Sequence, residues 1–195
     1  MSVVRGTFLD RLLLYVAASA AWPALWQPAA AQTVWELTPY RVQILVAMEP
    51  SYELTSRLQN DFAADLTARL DFLAAPVWEA TVALAPQSLR HMLTVEMEAL
   101  TLESLPKESL DFDKVMVLAV ARHAVGYRVV ARELDVRTRV WNRPMEVRAP
   151  QTAKLLDAAL RALRMAFAPL ARIESVEKKT VMLRLRAAGL SPRDK

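Results

Sequence analysis

The segment from Lys114 to Val120 constrains the fold most, because it is the most apolar of the predicted strands. After Lys114 it reads Val-Met-Val-Leu-Ala-Val, without a polar face. Such a run is typical of a strand that is buried on both faces in the middle of a sheet. Arg122 to Gly126 then predicts a hairpin turn, because Gly126 can adopt the positive φ that a tight loop needs.

The rest of the chain alternates between strand and helix patterns. The predicted elements are a weak strand at 34–38, strands at 40–47 and 77–84, helices at 52–74 and 87–98, a long strand at 127–141, a helix at 151–169 and a hairpin at 171–186. Ser51 is placed to cap the first helix, and a bulge or face switch is expected near Arg132. This order predicts an α/β (α+β) fold, in which a mixed sheet is packed by two long helices and followed by a C-terminal β-hairpin.

The first 31 residues have the pattern of a cleavable signal peptide. Arg5 and Arg11 precede an apolar stretch, and Ala29 and Ala31 match the small-residue rule for cleavage between Ala31 and Gln32. We therefore expect an exported protein, periplasmic or extracellular, whose mature chain does not span a membrane. The expected divisions are the signal peptide at 1–31, an α/β domain at 32–169, and a hairpin and tail at 170–195. If the chain is a fragment of a longer protein, this hairpin is the beginning of a small β domain that is truncated here.

The composition excludes several chemistries. The chain has no cysteine, so disulfides and acylation of a lipoprotein cysteine are excluded. Its three glycines, of which Gly126 and Gly189 follow the signal segment, cannot form a phosphate-binding loop or a nucleophile elbow. His91 and His123 lack the spacing of a metal pair. We expect no catalytic residues, no cofactor and no metal.

Two acidic residues flank Phe112 where the apolar strand begins. Alternation would place Asp111 and Asp113 on one face, where they could serve acid–base chemistry or bind a cation. The simpler interpretation is that they are solvated acids closing a loop. An alternative function is therefore a periplasmic ligand-binding protein or enzyme that uses this pair with nearby arginines.

A basic stretch with one aromatic residue lies further along. Arg132, Arg137 and Arg139 with Trp141 form a candidate interaction strand, because interleaved arginine and aromatic residues can bind nucleic acid. Arginines also protect the edge strand of a sheet from unwanted pairing. Nucleic acid is not an expected partner of an exported protein, so we favour edge protection.

The stretch from Asp113 to Thr138 includes Gly126-Tyr-Arg-Val-Val-Ala-Arg-Glu-Leu-Asp-Val-Arg-Thr138. It resembles the N-terminal α/β domain of TolB and the related domains of the curli pore subunit CsgG and the flagellar protein FlgT. The resemblance implies a non-enzymatic envelope module that docks to other proteins, and it implies no catalytic residue. The predicted function is therefore an exported assembly or scaffold module whose expected partners are envelope proteins and further copies of the same chain. The alternative here is a truncated fragment of a longer envelope protein.

Overall fold

The structure is a computed structural model that describes residues 34–178 and 180–190. The predicted signal peptide and its cleavage site, Ala31–Gln32, lie outside the described residues. Among the helices that are described, none has both the length and the apolar character needed to cross a membrane.

A six-stranded mixed sheet forms the centre of the fold. Its strands are β1 (Tyr40–Met48), β2 (Trp78–Leu84), β3 (Lys114–Arg122), β4 (Tyr127–Asp135), β5 (Val140–Trp141) and β6 (Met145–Ala149). β1 is parallel to both β2 and β3, whereas β4 is antiparallel to β3 and also pairs with β5 and β6. β3 therefore lies inside the sheet, as its apolar sequence predicted.

Helices cover both faces of this sheet. The helices on the sheet are α2 (Ser56–Leu73), α3 (Gln87–Val95) and α4 (Leu155–Ala166), and a short helix, α1 (Val34–Leu37), precedes β1. Leu66 of α2 and Leu163 of α4 are buried against one face of the sheet, and Leu93 of α3 is buried against the other. The alternate residues of β3 divide between these two cores, so that both of its faces are buried. The predicted α/β class is confirmed.

The start of α2 differs from the prediction. Thr55, rather than Ser51, caps the helix, because the Thr55 hydroxyl accepts a hydrogen bond from the Leu58 amide at 3.3 Å. Ser51 instead accepts from the Leu54 amide at 3.0 Å, in a separate turn before the helix. Ser51 and Thr55 thus each accept from a backbone amide, and the helix begins directly after Thr55.

Two predicted strands are wrong. Residues 34–37 form the short helix α1 instead of a strand. The expected long strand at 127–141 is two strands, since β4 ends at Asp135, whose carboxylate accepts a hydrogen bond from the Thr138 amide at 2.8 Å. That bond closes a turn in which Arg139 has a φ of 58°, and Val140 and Trp141 then return to pair with β4.

The C-terminal hairpin is confirmed. It consists of β7 (Ala171–Glu177) and β8 (Thr180–Leu185), which pair with each other as a separate antiparallel two-stranded sheet. A two-stranded ribbon gains little stability by itself, so the contacts at its base decide how firmly it is held.

Candidate functional site

A buried ion cluster fixes the segment that joins α4 to the hairpin. Lys114 Nζ, at the start of β3, donates to Glu133 Oε1 at 2.7 Å and to the Ala168 carbonyl at 2.9 Å, and it lies 2.9 Å from Asp135 Oδ2. Glu133 Oε2 accepts from the Ala168 amide at 2.8 Å. The Lys114 and Glu133 side chains are almost wholly buried. Both backbone groups of Ala168 are therefore held by side chains of the sheet.

The pKa values of the two acids in this cluster are shifted in opposite directions. Burial raises the pKa of Glu133 above its usual range, although Lys114 and the Ala168 amide favour the carboxylate. Burial also raises the pKa of Asp135, but the hydrogen bonds from Lys114 and Thr138 outweigh it and leave that pKa below its usual range. The cluster thus holds one acid that resists ionisation and one that favours it.

A second anchor holds the end of the hairpin. Arg186, directly after β8, donates to Asp113 Oδ2 at 2.8 Å and to the Pro39 carbonyl at 2.7 Å. The Arg41 amide donates to the same Asp113 oxygen at 2.9 Å. Burial raises the pKa of Asp113, but these donors outweigh it and hold that pKa below its usual range. The Arg186 guanidinium also lies over the Tyr40 ring, 4.8 Å from its centroid.

The predicted pairing of Asp111 and Asp113 on one strand face is wrong. Asp111 ends a short 3-10 helix at Lys107–Asp111, before β3 begins, so strand alternation does not apply to it. Its side chain is exposed, and its carbonyl accepts from Arg41 Nη2 at 2.7 Å. Asp113 is instead engaged in the anchor of the hairpin. The structure therefore does not bring the two acids together as one site.

α1 supports β8 from the other end of the described chain. Trp35 Nε1 donates to the Arg184 carbonyl at 3.3 Å, and the Arg184 guanidinium forms ion pairs with Glu36, at 3.3 Å, and with Glu174 of β7. The Ala187 amide donates to the Trp35 carbonyl at 3.2 Å. The base of the hairpin is thus tied to α1, β1 and β3.

Beyond this base, one face of the hairpin is apolar and exposed. Its large side chains are 44% to 64% exposed, and they are Ile173, Val176, Val181, Leu183 and Leu185. The cross-strand partners are Ile173 with Leu183 and Val176 with Val181, so these residues point to the same side. We call these five residues the hairpin face. An exposed apolar cluster of this kind is characteristic of an interaction surface.

A β-bulge makes the hairpin face continuous. Ile173 and Val176 are three residues apart, so in a regular strand they would point to opposite sides. The register shifts between Ile173 and Ser175, which leaves Glu174 as the extra residue and turns Val176 to the side of Ile173. The opposite face carries Arg172, Arg184 and Met182. Strand alternation in the sequence does not by itself predict that the apolar side chains and the arginines lie on opposite faces of the hairpin.

The predicted interaction strand is divided between two environments. Arg132 lies on β4, inside the sheet, and its guanidinium donates to the Met97 and Asn142 carbonyls and stacks 4.9 Å from the Trp141 ring centroid. Because β4 has strands on both sides, edge protection does not explain Arg132. Arg137 and Arg139 are exposed in the turn after β4. A role for these four residues in binding stays a prediction.

Where β1 and β3 end, Glu53, Arg122 and Tyr127 line a pocket of about 460 Å³, but the Glu53 carboxylate already accepts hydrogen bonds from both of the other side chains. Within residues 34–178 and 180–190, no group of three or more His, Cys, Asp or Glu side chains could hold a metal ion.

The fold defines a class rather than a family: a mixed α/β sheet domain that carries a C-terminal hairpin. No protein-family model matches the sequence, and no curated protein matches it.

Solved structures show weak similarity of fold. TolB from Acinetobacter baumannii has 12% identity and a TM-score of 0.35 over 79% of this chain, which spans 37% of the length of that protein. The PelC dodecamer from Paraburkholderia phytofirmans has 14% identity and a TM-score of 0.34 over 64% of this chain and 84% of that one. A lipoprotein from Neisseria meningitidis has 16% identity and a TM-score of 0.27, covering 67% of this chain and all of that one. The resemblance to TolB predicted from the sequence is confirmed as this weak similarity.

Proposed function

We propose that this chain is an exported, non-catalytic module of the cell envelope that acts by protein contact, with the hairpin face as its contact surface and a second copy of the chain as the occupant. The observation that carries the proposal is the exposed, continuous apolar surface formed by Ile173, Val176, Val181, Leu183 and Leu185. Export is supported by the signal pattern of residues 1–31.

Self-association is favoured by the charge distribution. The chain has a net formal charge of +4, so two copies meet with least repulsion through a surface that carries no charged side chain. The hairpin face contains no charged residue, whereas Arg172 and Arg184 point to the opposite side. Two copies can therefore stack their hairpin faces without charge repulsion at the contact. Such a contact resembles two sheets packed about 10 Å apart.

The size of the face predicts weak association. Fully burying an aliphatic side chain contributes about 1.5–3 kcal/mol, and these side chains are about half exposed, so two copies gain roughly 10 kcal/mol in total. Association costs about 4–15 kcal/mol in lost freedom. A cost near the low end of that range, about 4–6 kcal/mol, leaves roughly 4–6 kcal/mol, which corresponds to a dissociation constant from tens of micromolar to about 1 mM. Because one such contact occupies the hairpin face of both copies, the expected species is a weak dimer.

The test compares two neighbouring residues of β8. Leu183→Lys places a charge on the hairpin face, whereas Met182→Lys places the same charge on the opposite face of the same strand. Both side chains are more than half exposed, so neither change should unfold the protein. Sedimentation equilibrium of the full exported chain should show association that Leu183→Lys abolishes and Met182→Lys retains.

Two results would overturn the proposal. The first is a parent protein that is monomeric at every concentration up to about 1 mM, the weak limit of the expected range. The second is an equal effect of the two lysine variants, since that would place the contact elsewhere.

A further inference from the structure

A large groove lies between α2 and α4 on the face of the sheet that both helices cover. It has a volume of about 980 Å³. Its apolar lining consists of Leu70, Leu73, Ala74, Val77, Trp78, Leu160, Leu163, Met165 and Phe167. The Trp78 and Phe167 rings are in contact, with centroids 4.7 Å apart. This volume is at the upper end of the range of roughly 300–1,000 Å³ that is usual for small-molecule sites.

Arginines line the same groove. Arg69 of α2 and Arg161 and Arg164 of α4 are exposed lining residues, and none of them forms an ion pair within residues 34–178 and 180–190. The acidic lining residue, Asp157, forms an ion pair with Lys154 at 3.7 Å. The groove thus combines an apolar interior with an excess of positive charge.

From this combination we infer that the groove binds a single-chain anionic amphiphile, such as a fatty acid, taken up from solution as a monomer. The alkyl chain would lie against Trp78, Phe167 and the leucines, where burial removes it from water. The head group would meet Arg69, Arg161 or Arg164, whose guanidinium groups match the planar geometry of a carboxylate. The inference rests on the groove and not on the hairpin face, so either proposal can fail without the other.

The ligand test uses the full chain and calorimetric titration with dodecanoate. Shortening the probe to decanoate should weaken binding about tenfold, because each buried methylene contributes about 0.8 kcal/mol. Dodecyl maltoside, which has the same tail and an uncharged head group, should bind at least about tenfold more weakly than dodecanoate, because charge-assisted hydrogen bonds are lost. Acetate, which has the head group alone, should not bind measurably.

The location test uses two variants of equal charge. Arg161→Gln with Arg164→Gln removes two groove arginines and should weaken dodecanoate binding at least about tenfold, without weakening that of dodecyl maltoside. Arg57→Gln with Arg143→Gln removes the same charge from exposed positions that do not line the groove, and it should leave both affinities unchanged. All four side chains are exposed, so the thermal midpoints should stay near that of the parent.

Fluorescence quenching tests the location independently of the arginine variants. A dodecanoate that carries bromine on its tail should quench the fluorescence of Trp78, and Trp78→Phe should remove most of that quenching. Equal affinity for dodecanoate and dodecyl maltoside would overturn the inference. So would an equal loss in the two double variants, or binding to anionic vesicles with none to dissolved dodecanoate.

Discussion

Replacing Lys114 by methionine tests the buried cluster at the base of the hairpin. Lys114 Nζ lies within 2.9 Å of Glu133, Asp135 and the Ala168 carbonyl, and its side chain is almost wholly buried. The variant leaves both acids without their cation, and breaking a buried ion pair from one side costs about 3–5 kcal/mol. For a domain of this size, each kcal/mol lowers the thermal midpoint by about 2–4 °C. We therefore expect a midpoint about 6–20 °C lower.

The loss should depend on pH with a definite sign. Burial already raises the pKa of Glu133 in the parent and would raise it further without Lys114. A raised pKa gives stability that is fully present below the unfolded value of about 4.3 and is lost as pH rises through the folded value. The pKa of Asp135 is lowered in the parent, despite burial, by Lys114 and Thr138, and that contribution is lost as pH falls. Both effects reduce the difference in stability between the Lys114→Met variant and the parent in acid.

The assay is thermal unfolding followed by circular dichroism at about pH 4.5 and about pH 8. Lys107→Met serves as the control, because Lys107 is an exposed lysine in a short 3-10 helix and should change the midpoint little. A Lys114→Met midpoint equal to that of the control would refute the cluster as a stabilising anchor. A loss of the same size at both pH values would refute the role assigned to Glu133, whereas the contribution of Asp135 is lost only below its unfolded pKa of about 3.9.

Three further changes follow from single contacts. Gly126→Ala should destabilise the protein by about 2 kcal/mol or more in urea unfolding, because Gly126 has a φ of 84° and an added Cβ would lie 2.3 Å from the Ala149 carbonyl oxygen. An unchanged urea midpoint would contradict this. Asp113→Asn should speed amide hydrogen exchange around Arg186 at neutral pH, and equal exchange rates at neutral pH would contradict this. Although burial raises the pKa of Asp113, Arg186 and the Arg41 amide lower it below its usual range, so the exchange rate of the parent should approach that of the variant as pH falls. Thr55→Ala should cost about 1 kcal/mol in the same urea assay through loss of the helix cap, and no cost would place the cap elsewhere.

Much of the fold was predictable because it depends on local patterns. The apolar run after Lys114 identified β3 as an interior strand, and the three- and four-residue spacing of leucines identified α2. Lys114 itself carried a usable signal, since a lysine that opens an apolar strand needs acidic partners. Glu133 and Asp135 lie on the next strand, and the register pairs Lys114 with Asp135.

The remaining features depend on single side chains or on tertiary contacts. The long strand was predicted because nothing in its sequence requires a break, whereas the Asp135 carboxylate closes a turn there. The short helix α1 is held by Trp35 and Glu36 against Arg184, far away in sequence. The hairpin face depends on the bulge at Glu174, which no spacing rule in the sequence reveals.

The central claim, that copies of this chain meet through the hairpin face, is tested most directly by site-specific cross-linking. Because the chain has no cysteine, a single introduced cysteine is the only thiol available to a short bifunctional maleimide. Stacked sheets lie about 10 Å apart, so Leu183→Cys should yield covalent dimers of the full chain, whereas Met182→Cys, on the opposite face, should not. Equal dimer yields from the two variants, or none from Leu183→Cys at a concentration above the dissociation constant, would contradict the account.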